Sequence, residues 1–333
     1  MRNHKTTSGL VALAFAASAV LSACGGDSGG SEVTTNEDGT ASITIATVGS
    51  DSGSQAFIGE KEGFFEDHGL DVKVKIVANV PELAAAVESG DAQFALTSPT
   101  SIASAKAAGV DFTIVAGAAV YTKDNPGVWI MVPEGSSITS PKDLDGKSVA
   151  VNALNTMPHL STLATLEDAG VKVDAKSLEV VTLDFTQVGQ AFESGQVDAA
   201  TVTAPFNYQI EGDGLGRAIA SPYDAVNDGK DFYNTIWFGQ GSLVEKQPEV
   251  VEKFQDALRD TNAWANDPAN EAERKGILQE YTDLADDMLD GLQLLQFGDD
   301  VTPELIQPVI DIMEHFEVLP RPIEADDIIA DVK

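Results

Sequence analysis

The sequence predicts an α/β protein of two similarly built, doubly wound lobes joined by a two-segment hinge. Short apolar strands alternate with helical segments, and the same alternation begins again after the first unit. The C-terminal part reads as helical and offers no strand pairs of its own. A chain of 333 residues also exceeds what one hydrophobic core usually supports, so two domains are expected.

The first lobe is predicted to start with a strand over 43–48 and to continue as a parallel βαβαβ unit. A helix over 55–68 ends at Gly69, a residue that readily adopts the left-handed conformation of a helix C-terminus. The elements that follow are a strand over 70–77, a helix over 81–89, a strand over 93–96 and a helix over 99–108.

The second lobe repeats this order. Glu193 of a Glu-Ser-Gly stretch stands 105 positions after Glu88 of another, and the strand openings at Ile43 and Ser148 have the same separation. After each Glu-Ser-Gly comes a strand that ends in hydroxyl residues and a proline, namely Leu96-Thr97-Ser98-Pro99 and Val202-Thr203-Ala204-Pro205. The alternative is that a common helix terminator recurs by accident.

Two segments carry the chain between the lobes. Strand-like stretches over 113–120 and 128–132 lead into the second lobe, and a strand over 235–238 returns to the first. Helices with apolar stripes over 249–265 and 303–316 are expected to pack on the first lobe. The predicted lobes are therefore 43–125 with 236–333, and 126–235, with a hinge at the two crossovers.

The N-terminus reads as an export signal. Arg2 and Lys5 precede an apolar run over 10–21, and the closing Leu21-Ser22-Ala23-Cys24 resembles the bacterial lipobox, in which the cysteine becomes the lipidated first residue. We expect a signal peptide over 1–23, a flexible tether over 24–42 and a lipid anchor on the outer face of the cell membrane. A buried structural cysteine, or a signal cut elsewhere, is the alternative.

Composition excludes several classes of protein. The net charge of −33, from 20 Lys and Arg against 53 Asp and Glu, would repel phosphate backbones, so no nucleic-acid partner is expected. Cys24 is the single cysteine, which excludes an internal disulfide and a Cys-based zinc site. The histidines beyond the signal have no spacing that places two on one helix face, so neither a metal nor a cofactor is expected.

No catalytic constellation stands out. Gly49-Ser50-Asp51-Ser52-Gly53 has Asp where a nucleophile elbow has Ser, and the glycine-rich stretch over 212–217 lacks the third dinucleotide glycine. We therefore expect a protein that is not an enzyme. The alternative is an enzyme of the same two-lobed architecture that acts on a small metabolite.

Three stretches together resemble the nitrate/taurine-type solute-binding proteins of ABC importers, and the likeness covers nearly all of 43–329. They are the stretch from Ala56 to Val72, the stretch from Ala86 to Ala95 and the stretch from Asp143 to Val151. The resemblance implies the type II periplasmic-binding fold, a solute bound in the interlobe cleft and a membrane permease as partner. The family includes binders of sulfonates, nitrate and pyrimidine precursors of thiamine.

The cleft is predicted where the carboxyl ends of parallel strands meet helix N-termini. Four loops satisfy this condition. Most of their polar side chains are uncharged and can hold a small solute by hydrogen bonds. The candidate residues are Ser50, Asp51, Ser54, Gln55, Thr97, Ser98, Asn152, Asn155, Thr156 and Thr203. For each one the alternative is an ordinary capping or turn residue.

Aromatic residues near these loops are candidates for a stacking wall. Tyr121, Phe206 and Trp237 are chosen, with Phe57 and Tyr233 as further candidates, and the alternative for each is a place in the core. His159, at the start of a predicted helix, is a candidate hydrogen-bonding partner of the solute.

The solute is expected to be a heteroaromatic compound such as a pyrimidine precursor, with a sulfonate or nitrate as the alternative. An anion calls for an Arg or Lys clamp, and the loops carry only Lys123 and Arg217 at their margins. Asp51 or Asp184 can meet a protonated ring.

Overall fold

A computed structural model describes residues 33–77, 80–174, 178–282, 284 and 286–331. The predicted signal peptide over 1–23, Cys24 and the first part of the predicted tether lie outside the described residues. Within the described ranges, no helix combines the length and the apolarity that crossing a membrane requires.

The strands follow the predicted alternation, with small shifts at their ends. They are β1 (Thr34–Thr35), β2 (Ala41–Thr47), β3 (Leu70–Ile76), β4 (Phe94–Thr97), β5 (Phe112–Gly117), β6 (Ala119–Tyr121), β7 (Val128–Pro133), β8 (Ser148–Val151), β9 (Glu179–Thr182), β10 (Ala199–Thr203), β11 (Gly216–Ala220), β12 (Phe232–Tyr233), β13 (Ile236–Gln240) and β14 (Gln296–Phe297).

Helices cover the sheets and make up most of the C-terminal part. They are α1 (Ser54–Lys61), α2 (Phe64–Asp67), α3 (Val80–Ser89), α4 (Pro99–Ala107), α5 (Met157–Asp168), α6 (Val188–Ser194), α7 (Phe206–Gly212), α8 (Gly241–Lys246), α9 (Pro248–Ala265), α10 (Glu271–Tyr281), α11 (Asp286–Gly291) and α12 (Pro303–His315). The helix expected over 55–68 is divided into α1 and α2, because Gly63 between them has a φ of 81°.

The two main sheets have the same strand order. In the first lobe β3, β2 and β4 are parallel neighbours, and β13 runs antiparallel between β4 and β5. In the second lobe β9, β8 and β10 are parallel neighbours, and β7 runs antiparallel between β10 and β11. Each sheet thus receives its antiparallel strand from the crossover that enters its lobe.

The central strands of both sheets are covered on both faces. Every residue of β4 is buried, and β10 is buried except for its last residue, as helices on both sides of a parallel sheet require. A small third sheet of β12, β6 and β14 lies at the crossovers between the lobes.

The folded part extends further towards the N-terminus than the sequence pattern indicates. Val33 is buried, and its N–H donates to Gln247 Oε1 at 2.7 Å while its carbonyl accepts from Gln247 Nε2 at 3.0 Å. β1 then pairs antiparallel with the start of β2. Residues 33–42, predicted as tether, therefore belong to the fold, because backbone pairing and the Gln247 amide hold them.

The helix α12 packs against both lobes and not only against the first. Its apolar face, which includes Ile306, Val309 and Met313, shares one buried cluster with Ile102 of α4 and Leu160 of α5. The two lobes are thus joined by a continuous apolar core as well as by the crossovers.

Candidate functional site

Two cavities lie between the lobes, and residues of both lobes line each of them. One joins the loop after β4 to the loop after β8, and the other joins the loop after β2 to the loop after β10. Each cavity therefore pairs the loop that follows the first strand of one parallel unit with the loop that follows the third strand of the other. This is the edge of an open α/β sheet at which ligands bind.

Ten of the fifteen residues that line the cavity at the ends of β4 and β8 carry a hydroxyl or amide side chain, and we call it the hydroxyl cavity. Its volume is about 510 Å³. The polar residues that line it include Thr97, Ser98, Thr100, Asn152, Asn155 and Thr156, and all but Thr100 are among the candidates from the sequence. The wall is completed by uncharged apolar residues, namely Val48, Pro81, Leu83, Leu96 and Ala153.

Two polar atoms of the hydroxyl cavity are buried without a hydrogen-bond partner among the described residues. They are Thr97 Oγ1 in the first lobe and Asn152 Oδ1 in the second. Buried polar groups are normally paired, so an unpaired one in a residue that lines a cavity points to a solute or water as its partner.

Two helices begin at the hydroxyl cavity, one from each lobe. Ser98 precedes α4 and Thr156 precedes α5, and neither side chain caps its own helix by a hydrogen bond. Ser98 Oγ instead lies 2.6 Å from Thr100 Oγ1. No side-chain cap therefore occupies the first-turn N–H groups of either helix, although Pro99 and Pro158 have no N–H and Ser101 donates its own to the Ser98 carbonyl at 3.0 Å.

His159 supports the wall of the hydroxyl cavity but does not line it. Its Nδ1 accepts the backbone N–H of Asn155 at 3.0 Å, and Asn155 has a φ of 61°, in the left-handed region. Burial lowers the pKa of His159, so the ring is neutral and can accept at Nδ1. The expected hydrogen bond from His159 to a solute is thus replaced by one that holds the Asn155 loop.

The cavity at the ends of β2 and β10 has mainly apolar walls, and we call it the apolar cavity. Its volume is about 350 Å³. The apolar side chains that line it include Phe185, Phe206, Leu278, Leu284, Leu292 and Leu295. The rings of Phe185 and Phe206 form a tilted pair, with centroids 5.6 Å apart and planes at 33°. Phe206 is a candidate from the sequence, whereas Phe185 follows a strand that the sequence reading did not connect with the cleft.

The polar edge of the apolar cavity includes three residues predicted from the sequence: Ser50, Asp51 and Thr203. Ser52 lines both cavities, so the two spaces meet at the loop after β2. Thr97 and Thr203, which the repeat makes equivalent, therefore face different cavities at the same interlobe edge.

Asp51 is not free to pair with a protonated solute. Its Oδ1 lies 2.9 Å from Nη2 of Arg274 in an ion pair whose side chains are 10% and 3% exposed. Its Oδ2 accepts the backbone N–H of Leu295 at 2.6 Å. In the structure Asp51 thus lines the apolar cavity while both of its carboxylate oxygens already have partners within the protein. Arg274 was missed because it lies on α10, remote in sequence from every cleft loop.

Ser54, Gln55 and Trp237 lie in the core of the first lobe and line neither cavity. Trp237 is fully buried, and its Nε1 donates to Gln55 Oε1 at 2.8 Å. Gln55 Nε2 in turn donates to Asn262 Oδ1 at 2.5 Å. The structure therefore places these three predicted site residues in the core, where packing and internal hydrogen bonds engage their side chains.

Tyr121 is also a core residue and not a wall of the cleft. Its ring stacks on Phe232 with centroids 4.9 Å apart, and its hydroxyl donates to Asp224. Burial and the Asp224 carboxylate raise the pKa of Tyr121 above its ordinary value. The further aromatic candidates Phe57 and Tyr233 are likewise buried in the fold.

The charged residues considered at the margins of the cleft line neither cavity. Arg217 donates from Nη2 to the carbonyl groups of Ser136 and Ile138, at 3.2 and 2.6 Å. Asp184 is exposed and precedes a helical turn, where its backbone N–H donates to Gln187 Oε1 at 3.4 Å. Among the described residues, no three His, Cys, Asp or Glu side chains gather as metal ligands would.

The chain is similar to several binding proteins. A family model described as NMT1/THI5 like matches residues 54–272, about two thirds of the chain. The taurine-binding periplasmic protein of Escherichia coli (strain K12) is 30% identical over 142 residues. That match covers 40% of this chain and 42% of the relative, so the chain spans less than half the length of this relative.

Solved structures of periplasmic binding proteins share the fold. The aliphatic sulphonate binding protein SsuA from Escherichia coli has a TM-score of 0.73 at 17% identity, over 88% of this chain and 92% of that chain. The nitrate-binding protein NrtA from Synechocystis PCC 6803 has a TM-score of 0.66 at 13% identity, over 87% and 84%. The predicted fold class is thereby confirmed.

Proposed function

The chain belongs to the NMT1/THI5-like family, and from this premise we propose that it is the extracytoplasmic solute-binding component of an ABC importer. It captures a small solute between its lobes and delivers it to a membrane permease. The names of its relatives, which bind taurine, sulphonates or nitrate, support this role.

One observation carries the proposal. Two cavities lie between the lobes at the carboxyl ends of their parallel strands, and both lobes contribute to each wall. Thr97 and Asn152 line the hydroxyl cavity from opposite lobes, and each has a buried polar atom without a hydrogen-bond partner in the described part of the chain. A solute that satisfies both atoms stabilises the closed arrangement of the lobes, which is the form that a permease receives.

The walls favour an uncharged solute with a ring, such as a pyrimidine derivative. The Phe185 and Phe206 rings and the leucines of the apolar cavity offer contacts to a flat apolar group. Hydroxyl and amide groups of the hydroxyl cavity offer hydrogen bonds to its polar substituents. Among the described residues that line the two cavities, none is Lys, Arg or His.

A sulfonate or nitrate is the second candidate solute. The N-termini of α4 and α5 meet at the hydroxyl cavity, and helix N-termini attract anions. This alternative requires that backbone N–H groups hold the anion without a guanidinium or ammonium partner.

The proposal places the protein outside the cytoplasm on a lipid anchor. Cys24 closes a lipobox-like segment and becomes the lipidated residue after the signal peptide over 1–23 is removed. One acyl chain binds a membrane only marginally, so stable anchoring through Cys24 requires more than one acyl chain or a second attachment. The chain carries out no turnover in this role.

The test is to identify a bound solute. Native mass spectrometry of the protein purified from its own host should reveal a retained small molecule, and calorimetry with that molecule and with taurine and nitrate should rank the candidates. A protein that retains nothing, and whose thermal unfolding responds to none of these compounds, would contradict the proposal. Conversion of the retained molecule into a product would favour the enzyme alternative.

A further inference from the structure

The apolar cavity contains one charged group among the described residues that line it, the Asp51 carboxylate. A lone carboxylate on an apolar wall attracts cations and repels anions. Here the negative charge of Asp51 is compensated by Arg274, whose Nη2 lies 2.9 Å from Asp51 Oδ1. Arg274 itself does not line the cavity.

The Arg274 guanidinium is held in place on several sides. Nη1 donates to the Ala265 carbonyl at 3.1 Å, and the guanidinium carbon lies 4.4 Å from the centroid of the Phe297 ring. Only 3% of the side chain is exposed. We therefore expect the guanidinium to keep its position and not to contact a solute. It acts on the cavity by offsetting the charge of Asp51.

We propose that Arg274 is a specificity-determining residue that acts through Asp51: it cancels the carboxylate charge at the apolar cavity, so that this end of the cleft selects an uncharged group. The inference rests on the proposed solute-binding function. Removal of either partner leaves the other charge uncompensated beside the cavity, and the two removals therefore change the preference in opposite directions.

The test uses three probes of similar size and different charge: benzenesulfonate, benzamide and benzylamine. Arg274→Gln should increase the affinity for benzylamine relative to benzamide by about tenfold or more, since an uncompensated charge a few ångströms away acts in a partly buried site. Asp51→Asn should increase the affinity for benzenesulfonate relative to benzamide to a similar extent. The double variant Asp51→Asn/Arg274→Gln should return both ratios towards those of the wild type.

Two controls separate charge compensation from a structural role. Lys275→Gln removes a positive charge from the same helix, where Lys275 pairs with Glu271 at 3.0 Å, and should leave the ratios unchanged. Arg274→Lys keeps the charge and should keep the selectivity of the wild type even if it lowers stability. A purely structural pair would lower the affinities for all three probes by one common factor.

The outcomes distinguish this inference from the proposed function. If the wild-type protein binds no solute at all, the proposed function fails and the inference fails with it. Suppose that the protein binds its own solute, but that Arg274→Gln and Asp51→Asn change the affinities for benzylamine and benzenesulfonate relative to benzamide in the same way or not at all. Only the inference is then overturned. The same holds if the wild type binds its own solute and none of the three probes.

Discussion

Thr97 and Asn152 line the same cavity from opposite lobes, and Thr97 Oγ1 and Asn152 Oδ1 are both buried without a hydrogen-bond partner among the described residues. An unpaired polar atom in a protein interior costs free energy. A solute that forms hydrogen bonds with both atoms would therefore recover this free energy and connect the two lobes.

Thr97→Val should weaken solute binding while leaving the solute-free protein as stable or more stable. The variant keeps the shape of the side chain and removes a hydroxyl that has no hydrogen-bond partner among the residues that the structure describes. We expect a loss of about 0.5–1.5 kcal/mol in binding free energy for a neutral solute group, and about 1.5–3 kcal/mol for a charged one. Calorimetry and chemical unfolding measure the two effects. Thr113→Val is the control, since that hydroxyl bonds to the Ile328 carbonyl outside both cavities; equal affinities for both variants would contradict the placement of the site.

Phe206→Ala should weaken binding of a ring-containing solute by about 0.5–1.5 kcal/mol beyond the loss of buried area, because the Phe185 and Phe206 pair lines the apolar cavity. Binding of a small anion at the hydroxyl cavity should be affected little.

Trp237→Phe supplies the contrast. It leaves Gln55 Oε1 without its indole donor, so the free energy of unfolding should fall by about 1–3 kcal/mol while the dissociation constant stays unchanged. A large effect of the Trp237 variant on affinity would indicate that this ring contacts the solute in spite of its place in the core.

His159 should make stability depend on pH. Burial lowers the pKa of the folded-state ring, so the unfolded chain binds a proton more readily, and stability rises with pH in that range. The contribution is fully present above the ordinary histidine value, near 6.5, and is lost as the pH falls towards the lowered folded value. Unfolding measured at several pH values should show a shallower acid loss for His159→Asn, whose side-chain oxygen can still accept the Asn155 N–H. Parallel curves for wild type and variant would exclude this role.

Solute should draw the lobes together. At a hundredfold excess over the dissociation constant the ligand stabilises the folded state by about 2.7 kcal/mol, and small-angle scattering should show a smaller radius of gyration. A clear thermal shift with an unchanged radius would argue for binding without closure.

Cys24→Ser should release the protein from membranes into the medium. Cys24 lies outside the described residues, and the fold, which includes Val33 through its bonds to Gln247, should remain intact in the released protein. Fractionation of cells followed by immunoblotting and thermal unfolding checks both parts. Retention of the variant on membranes would count against a lipid anchor at this cysteine.

Local pattern was enough to predict the parallel units and the loops that form the cleft. Strand and helix periodicity depends only on neighbouring residues. The 105-residue separation of Ile43 and Ser148 is an internal repeat, which is visible in the sequence itself. Because parallel strands present their carboxyl ends at one edge, the loops with Thr97, Asn152 and Thr203 follow from topology alone.

Which side chains reach the cavities depended on contacts between distant parts of the chain. Trp237 and Gln55 stand beside predicted cleft loops, yet their hydrogen bond and the surrounding core withdraw them from the walls. Arg274 lies on a helix that no local signal connects with Asp51, 223 positions away. Sequence patterns specify which backbone segments meet, whereas packing and charge pairing in three dimensions decide which side chains remain free for a solute, because those energies depend on neighbours that the linear order does not reveal.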